Sequence, residues 1–117
     1  MNTKRQFGNE GEQRAVEHLK KAGYEIVACN WTHGHKEIDI IARQDDIYVF
    51  VEVKTRTSTV LGYPEESVSK AKMQSVCEAA RIFLYDKTYR DIRFDVISVI
   101  CPPGEEAEIF HIRDAFY

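Results

Sequence analysis

Apolar residues recur along this chain with two different periods, and the changes of period mark its elements. Over residues 4–22, Phe7, Gly11, Ala15, Leu19 and Ala22 fall near one face of a helix, and Gly23 is placed to stop it. Tyr24 to Trp31 reads as a strand, ended by Thr32-His33-Gly34-His35. Glu37 to Arg43 and Ile47 to Lys54 are rich in Ile and Val, and only Gln44-Asp45-Asp46 separates them, which predicts a hairpin. Thr55 to Ser69, with Gly62 and Pro64, is expected to be a long loop. Lys70 to Asp86 is a second helix, with Ser69 as N-cap and Met73, Val76, Cys77, Ala80 and Leu84 as its apolar face. Ile92 to Cys101 is a strand stopped by Pro102-Pro103-Gly104, and Glu108 to Ile112 is a short last strand. The order α-β-β-β-α-β-β, with a helix between the third and fourth strands, predicts a right-handed parallel crossover in a mixed α/β sheet flanked by helices.

Parity sharpens the hairpin. Alternate strand residues share a face, so Glu37, Asp39, Ile41 and Arg43 are expected together, with Ile38, Ile40 and Ala42 opposite. In the next strand Tyr48, Phe50, Glu52 and Lys54 share one face, and Ile47, Val49, Val51 and Val53 form the apolar other, which is assigned to the core. A turn at Asp45-Asp46 makes paired residue numbers sum to 91, which sets Asp39 opposite Glu52 and Glu37 opposite Lys54. Opposed residues hold their Cβ atoms roughly 5 Å apart, and two carboxylates there repel. A shared proton, a cation or a metal ion must offset this, and hard oxygen ligands suit Mg²⁺ or Mn²⁺. The competing reading is a charge cluster, in which Glu37 pairs with Lys54 and Asp39 with Arg56 or Arg93. Glu12 lies at the edge of the inward face of the first helix beside Gly8 and Gly11. Its local alternative is a capping box with Asn9.

Composition narrows the class. With 117 residues, the chain is expected to be one domain over 1–117 that needs no disulfide or metal staple. Hydrophobic residues make up 44% and charged residues 30%, which excludes a disordered chain. No apolar run approaches a membrane span, and the polar start carries no secretory pattern, so a cytoplasmic protein is expected. Cys29, Cys77 and Cys101 make no C-x-x-C pair and read as reduced thiols. A net charge of −3 argues against a broad phosphate-binding surface and leaves room for a local basic stripe.

The ordered set Glu12, Asp39 and Glu52-Val53-Lys54, on this element order, resembles the PD-(D/E)XK restriction-endonuclease-like superfamily, whose core is αβββαβ. More narrowly the chain is similar to the YraN family of bacterial proteins classed as predicted endonucleases. The likeness runs through Gly8-Asn9-Glu10-Gly11-Glu12, Asn30-Trp31, Glu37 to Ala42, Val49 to Arg56, Gly62, Lys72 and Arg93-Phe94-Asp95-Val96. It implies that Asp39 and Glu52 ligate the divalent metal and that Lys54 assists the attacking water. Glu12 resembles the N-terminal helix acid of Holliday-junction resolvases in the same superfamily. Lys36 stands where the pattern usually has glycine, and Ile38 stands in place of the eponymous proline.

The expected function is therefore a metal-dependent nuclease hydrolysing DNA, with branched or damaged DNA as candidate substrates. Arg56 and Lys72 would position phosphates, with Lys70, Gln74 and Arg81 extending a stripe along the second helix. The alternatives are a non-catalytic nucleic-acid-binding or scaffold protein that retains the fold, and a hydrolase of a small phosphorylated substrate. His33 and His35 read as a solvated turn, and His18 and His111 as lone structural histidines. Trp31 and Tyr24 read as core or interface residues. A homodimer is expected to form through the last strand and Phe116-Tyr117, unless that tail folds back on its own sheet.

Overall fold

A computed structural model describes residues 4–57 and 69–116, with the side chains of residues 4–8 excepted. The expectations for Gly62, Pro64 and Tyr117, and for the side-chain packing of Phe7 and Gly8, lie outside the described residues. The elements are α1 (Lys4–Lys21), β1 (Glu25–His33), β2 (Lys36–Gln44), β3 (Ile47–Arg56), α2 (Lys70–Leu84), β4 (Asp91–Ile100) and β5 (Glu108–Ile112). The sheet order is β1-β2-β3-β4-β5. The β3–β4 pair is parallel and the rest are antiparallel, as the expected αβββαβ core requires.

Local chemistry sets the element ends. Gly23, at φ 93°, closes α1 with its N–H donating to the Lys20 carbonyl and the Tyr24 N–H to that of Leu19, a Schellman stop. Ser69 accepts the Lys72 N–H at 3.1 Å and caps α2. Asp45 and Asp46 both hold positive φ, the two-residue turn that matches strand twist and fixes the register summing to 91. β1 runs past Trp31 to His33, because Gly34 at φ 61° turns the chain tightly into β2; the stretch expected as a loop is a second hairpin.

Both sheet faces are covered. Ala15 and Leu19 of α1 pack on Ile40, Ala42, Val49, Val51, Ile97 and Val99. Val76, Ala79, Ala80, Phe83 and Leu84 of α2 pack on Ile38, Ile41, Tyr48, Phe50, Phe94 and Val96. The face expected to be polar near Glu52 is thus a second core. Ile38 also departs from the parity expectation, since it joins Ile41 rather than Ile40 and Ala42. The pleat slips in two neighbouring strands, and β1 carries a further register shift between Ile26 and Ala28. In β1, Ala28 and Trp31 share a face although they are three apart, with Asn30 at φ 52° between them. In β2, Ile38 and Ile41 do the same across Asp39.

The C-terminal tail folds back. Ala115 donates its N–H to the Phe94 carbonyl at 2.7 Å, and Phe116 stacks on Phe94 at 5.3 Å. Phe116 is buried, so the expected interface role passes to core packing. Among the described residues, no helix is long and apolar enough to cross a membrane.

Candidate active site

The site lies where the sheet forks. β2 and β3 pair from Gln44↔Ile47 only as far as Ile40↔Val51, while β3 continues beside β4 to Arg56↔Ile100 and β2 beside β1 to Lys36↔His33. Asp39 and Glu52 are the first residues beyond the last pair, so they are not ladder partners as the register alone had predicted. The N–H of Val53 donates instead to Asp39 Oδ2 at 2.9 Å. A carboxylate thus takes the place of a strand carbonyl and holds the fork open.

Glu52 is 1% exposed. Its Oε2 lies 3.7 Å from Lys72 Nζ, and its Oε1 is buried with no hydrogen-bond partner among the described residues. Burial first, and then the charge of Asp39, push its carboxyl up to about 7 against the pull of Lys72 and Lys54. Asp39 is also raised, chiefly by burial, with the Val53 N–H, Lys72 and Lys54 opposing and Glu37 adding to the rise. Lys54 follows Glu52 by two and shares its face. Arg56, two further on, ends β3 and is half-buried.

Two helices converge on the fork. The N-terminal turn of α2 brings Lys72. From the other side, α1 approaches so closely that a Cβ on Gly11 would stand 1.9 Å from Thr55 Oγ1, so only glycine fits. The next residue, Glu12, is half-buried and hydrogen-bonded to Asn30, with its pKa raised by burial and by Asp39. The capping-box alternative fails because α1 begins at Lys4 and Asn9 lies within it. Asn30 is the residue that sequence reasoning passed over. It lies between the pairs Cys29↔Ile40 and Trp31↔Ile38, and hence beside Asp39. The Asn30-Trp31 pair had been noted in the resemblance, but nothing local announced a side chain turned to α1.

Several expected neighbours lie elsewhere. Lys36 reaches Glu78 of α2 at 3.7 Å. Gln74 and Arg81 line a groove with Tyr89 and Ile92 towards the start of β4, so the stripe divides and Lys72 is its member at the carboxylates. Arg93 pairs with Asp95 rather than with Asp39. His18 and His111 are not solitary. His111 Nε2 meets Asp95 Oδ2 at 2.7 Å, and His111 Nδ1 meets His18 Nε2 at 3.2 Å. Burial alone would raise Asp95, but hydrogen bonds from His111, Arg93 and the Asp114 N–H hold it below its ordinary value. This network is fully partnered and ties β4 to β5, α1 and the tail.

The donor set at the fork fits a small divalent cation. Both ligands are hard oxygens, one oxygen atom is buried without a partner among the described residues, and each carboxyl is raised, chiefly by burial, despite Lys72 and Lys54 nearby. Among the described residues, no group of three or more His, Cys, Asp and Glu side chains converges for a metal. A six-coordinate ion would therefore draw its other ligands from water, backbone carbonyl and phosphate oxygens.

Comparison with known proteins agrees with this architecture. The model of the uncharacterised protein family UPF0102 matches residues 11–99. A UPF0102 protein of Chloroherpeton thalassium is 40% identical over 99% of this chain and 97% of its own length. One from Myxococcus xanthus is 43% identical over 97% of this chain and 90% of its own. The solved structure of Hjc, a Holliday junction resolvase of Archaeoglobus fulgidus, superposes with a TM-score of 0.52 at 20% identity, covering 88% of this chain and 75% of that one. That likeness is one of fold, the restriction-endonuclease-like fold.

Proposed function

The chain belongs to the uncharacterised protein family UPF0102, the YraN family that its residues resembled, and from that premise we propose that it is a metal-dependent nuclease hydrolysing DNA. The observation that carries this reading is the buried, unpartnered Oε1 of Glu52 beside Asp39 in the fork between β2 and β3. The fold shared with a Holliday junction resolvase supports it and makes branched DNA the first substrate to try.

In this reading Asp39 and Glu52 hold Mg²⁺ or Mn²⁺. A divalent ion there supplies Lewis-acid polarisation of a phosphodiester and a more acidic water. Lys54, on the face of Glu52, orients the attacking water and stabilises charge developing on the phosphate. Arg56 and Lys72 position the backbone phosphates. Glu12, steadied by Asn30 and raised by burial, is placed to exchange a proton beside Asp39. The protein works as a soluble cytoplasmic enzyme. A homodimer would form through β5, an edge strand of the sheet among the described residues on which Phe110 is exposed, and not through Phe116, which is buried in its own core.

The test is Mn²⁺-dependent cleavage of a panel of duplex, branched and single-stranded DNA and RNA by wild type and Glu52→Ala. Wild type should cut at least one DNA, and the variant should lose about a thousandfold, the worth of several kcal/mol at the metal. The second reading, a non-catalytic nucleic-acid-binding protein, draws on the lack of a third metal-binding side chain among the described residues and on the net charge of −3. Tight DNA binding without cleavage under any metal would establish it.

A further inference from the structure

Lys72 has a position that neither the strand motif nor a phosphate-contacting role explains. It belongs to the first turn of α2, where its own N–H is used by the Ser69 cap. Its ammonium, half-buried, is the cation seen on Glu52, at 3.7 Å from Oε2. It acts on both Asp39 and Glu52, and on each more strongly than Lys54, the lysine of the strand motif. Two ammonium groups thus act on carboxylates that Glu12 and Glu37 also neighbour. A divalent ion brought to Glu52 meets an ammonium already on that ligand, and the two cations repel. A phosphodiester, which carries one negative charge, would accommodate the displaced ammonium.

Resting on the metal site proposed above, we propose that Lys72 is an exchangeable internal counter-ion. In the metal-free protein it balances Glu52 from the Oε2 side, and on metal binding it is displaced onto the nucleic-acid phosphate. The side chain suits this exchange. A lysine is a point charge on a flexible four-carbon stem, so it can swing while α2 stays fixed. The helix itself is anchored by its cap and by Val76, Ala79, Ala80 and Phe83 in the core. Glu52 cannot follow the lysine, because it is a fully buried side chain on a central strand. The result is coupling between two ligands. Metal frees a phosphate-binding cation, and a phosphate that holds the cation favours the metal in return.

Two measurements test this, each on wild type, Lys72→Met and Lys72→Gln, the last of which keeps a polar but uncharged side chain at that position. Calorimetric titration with Mn²⁺ at pH 8.5, above the pKa of about 7 of Glu52, should show both variants binding metal about tenfold more tightly than wild type. Binding that is unchanged or weaker in both overturns the proposal while leaving the metal site standing. No Mn²⁺ binding by any of the three overturns both. The second measurement is the salt dependence of DNA binding with Ca²⁺ or with chelator. With Ca²⁺, Lys72→Met should lower the logarithmic salt slope by about 1, the loss of one phosphate contact. With chelator the slope should not change, because the wild-type lysine is then held on Glu52. An equal drop in both conditions would make Lys72 an ordinary phosphate contact and refute the exchange.

Discussion

Glu52 is the residue whose charge the fold tolerates least, and Glu52→Gln measures by how much. In the unfolded chain this carboxyl titrates near 4.5, and in the folded protein near 7. The folded state therefore keeps a proton that the unfolded state has lost across that window. Stability contributed by this group is greatest below 4.5, falls as pH rises to 7, and levels off above. At about 1.4 kcal/mol per tenfold change in proton affinity, the full penalty is about 3 kcal/mol. Lys72 and Lys54 already act on the ionised form, so that figure is what remains after their help. Because the side chain is 1% exposed, solvent does little to screen it. Glutamine keeps the shape and carries no charge. Urea denaturation in chelator at pH 4.5 and pH 8 should show wild type losing about 3 kcal/mol more than Glu52→Gln over that span, so that the variant is the more stable protein at pH 8. Millimolar Mg²⁺ should restore much of the wild-type loss and leave the variant unmoved. Asp39 acts on Glu52 through its charge, so the repulsion between the two carboxylates is part of the difference measured, whereas Glu12, raised by burial and by Asp39, titrates in both proteins. Parallel pH profiles, or a variant less stable at pH 8, would refute the claim that Glu52 is held ionised at a cost.

Gly11→Ala should destabilise by about 1–3 kcal/mol through overpacking against Thr55, although alanine is the better helix former by about 1 kcal/mol; a stabilised variant in urea titration would show that α1 does not lie this close to β3. Asp95→Asn should cost about 3 kcal/mol by leaving Arg93 and His111 without their anion. That contribution exists above the unfolded pKa of the aspartate and is lost as pH falls through the depressed folded one, so the two proteins should converge in acid when compared by thermal unfolding. Phe116→Ala should cost about 3 kcal/mol by removing a buried ring from Phe94, and light scattering should find the oligomeric state unchanged.

Periodicity and turn chemistry were enough to read the elements from sequence, because these are local properties. A helix stopped by Gly23, a cap at Ser69 and two aspartates able to take positive φ each depend on a few adjacent residues, and all three held in the fold. The register of the β2–β3 hairpin followed from its turn, and with it the nearness of Asp39 and Glu52. The tertiary structure decided what alternation cannot express. One slip of the pleat at Asn30 and Asp39 sent Ile38 to the α2 face and opened the sheet, since a side-chain acceptor for the Val53 N–H can replace a strand carbonyl only in three dimensions. Helix placement was likewise invisible along the chain. Lys72 and Glu12 lie 20 and 40 residues from Glu52 in sequence, and each comes to the fork only because one apolar face of its helix packs on the sheet. The same long-range packing made His18 and His111 a pair and drew Phe116 onto Phe94. Burial against distant residues, rather than any nearby signal, determined where those side chains went.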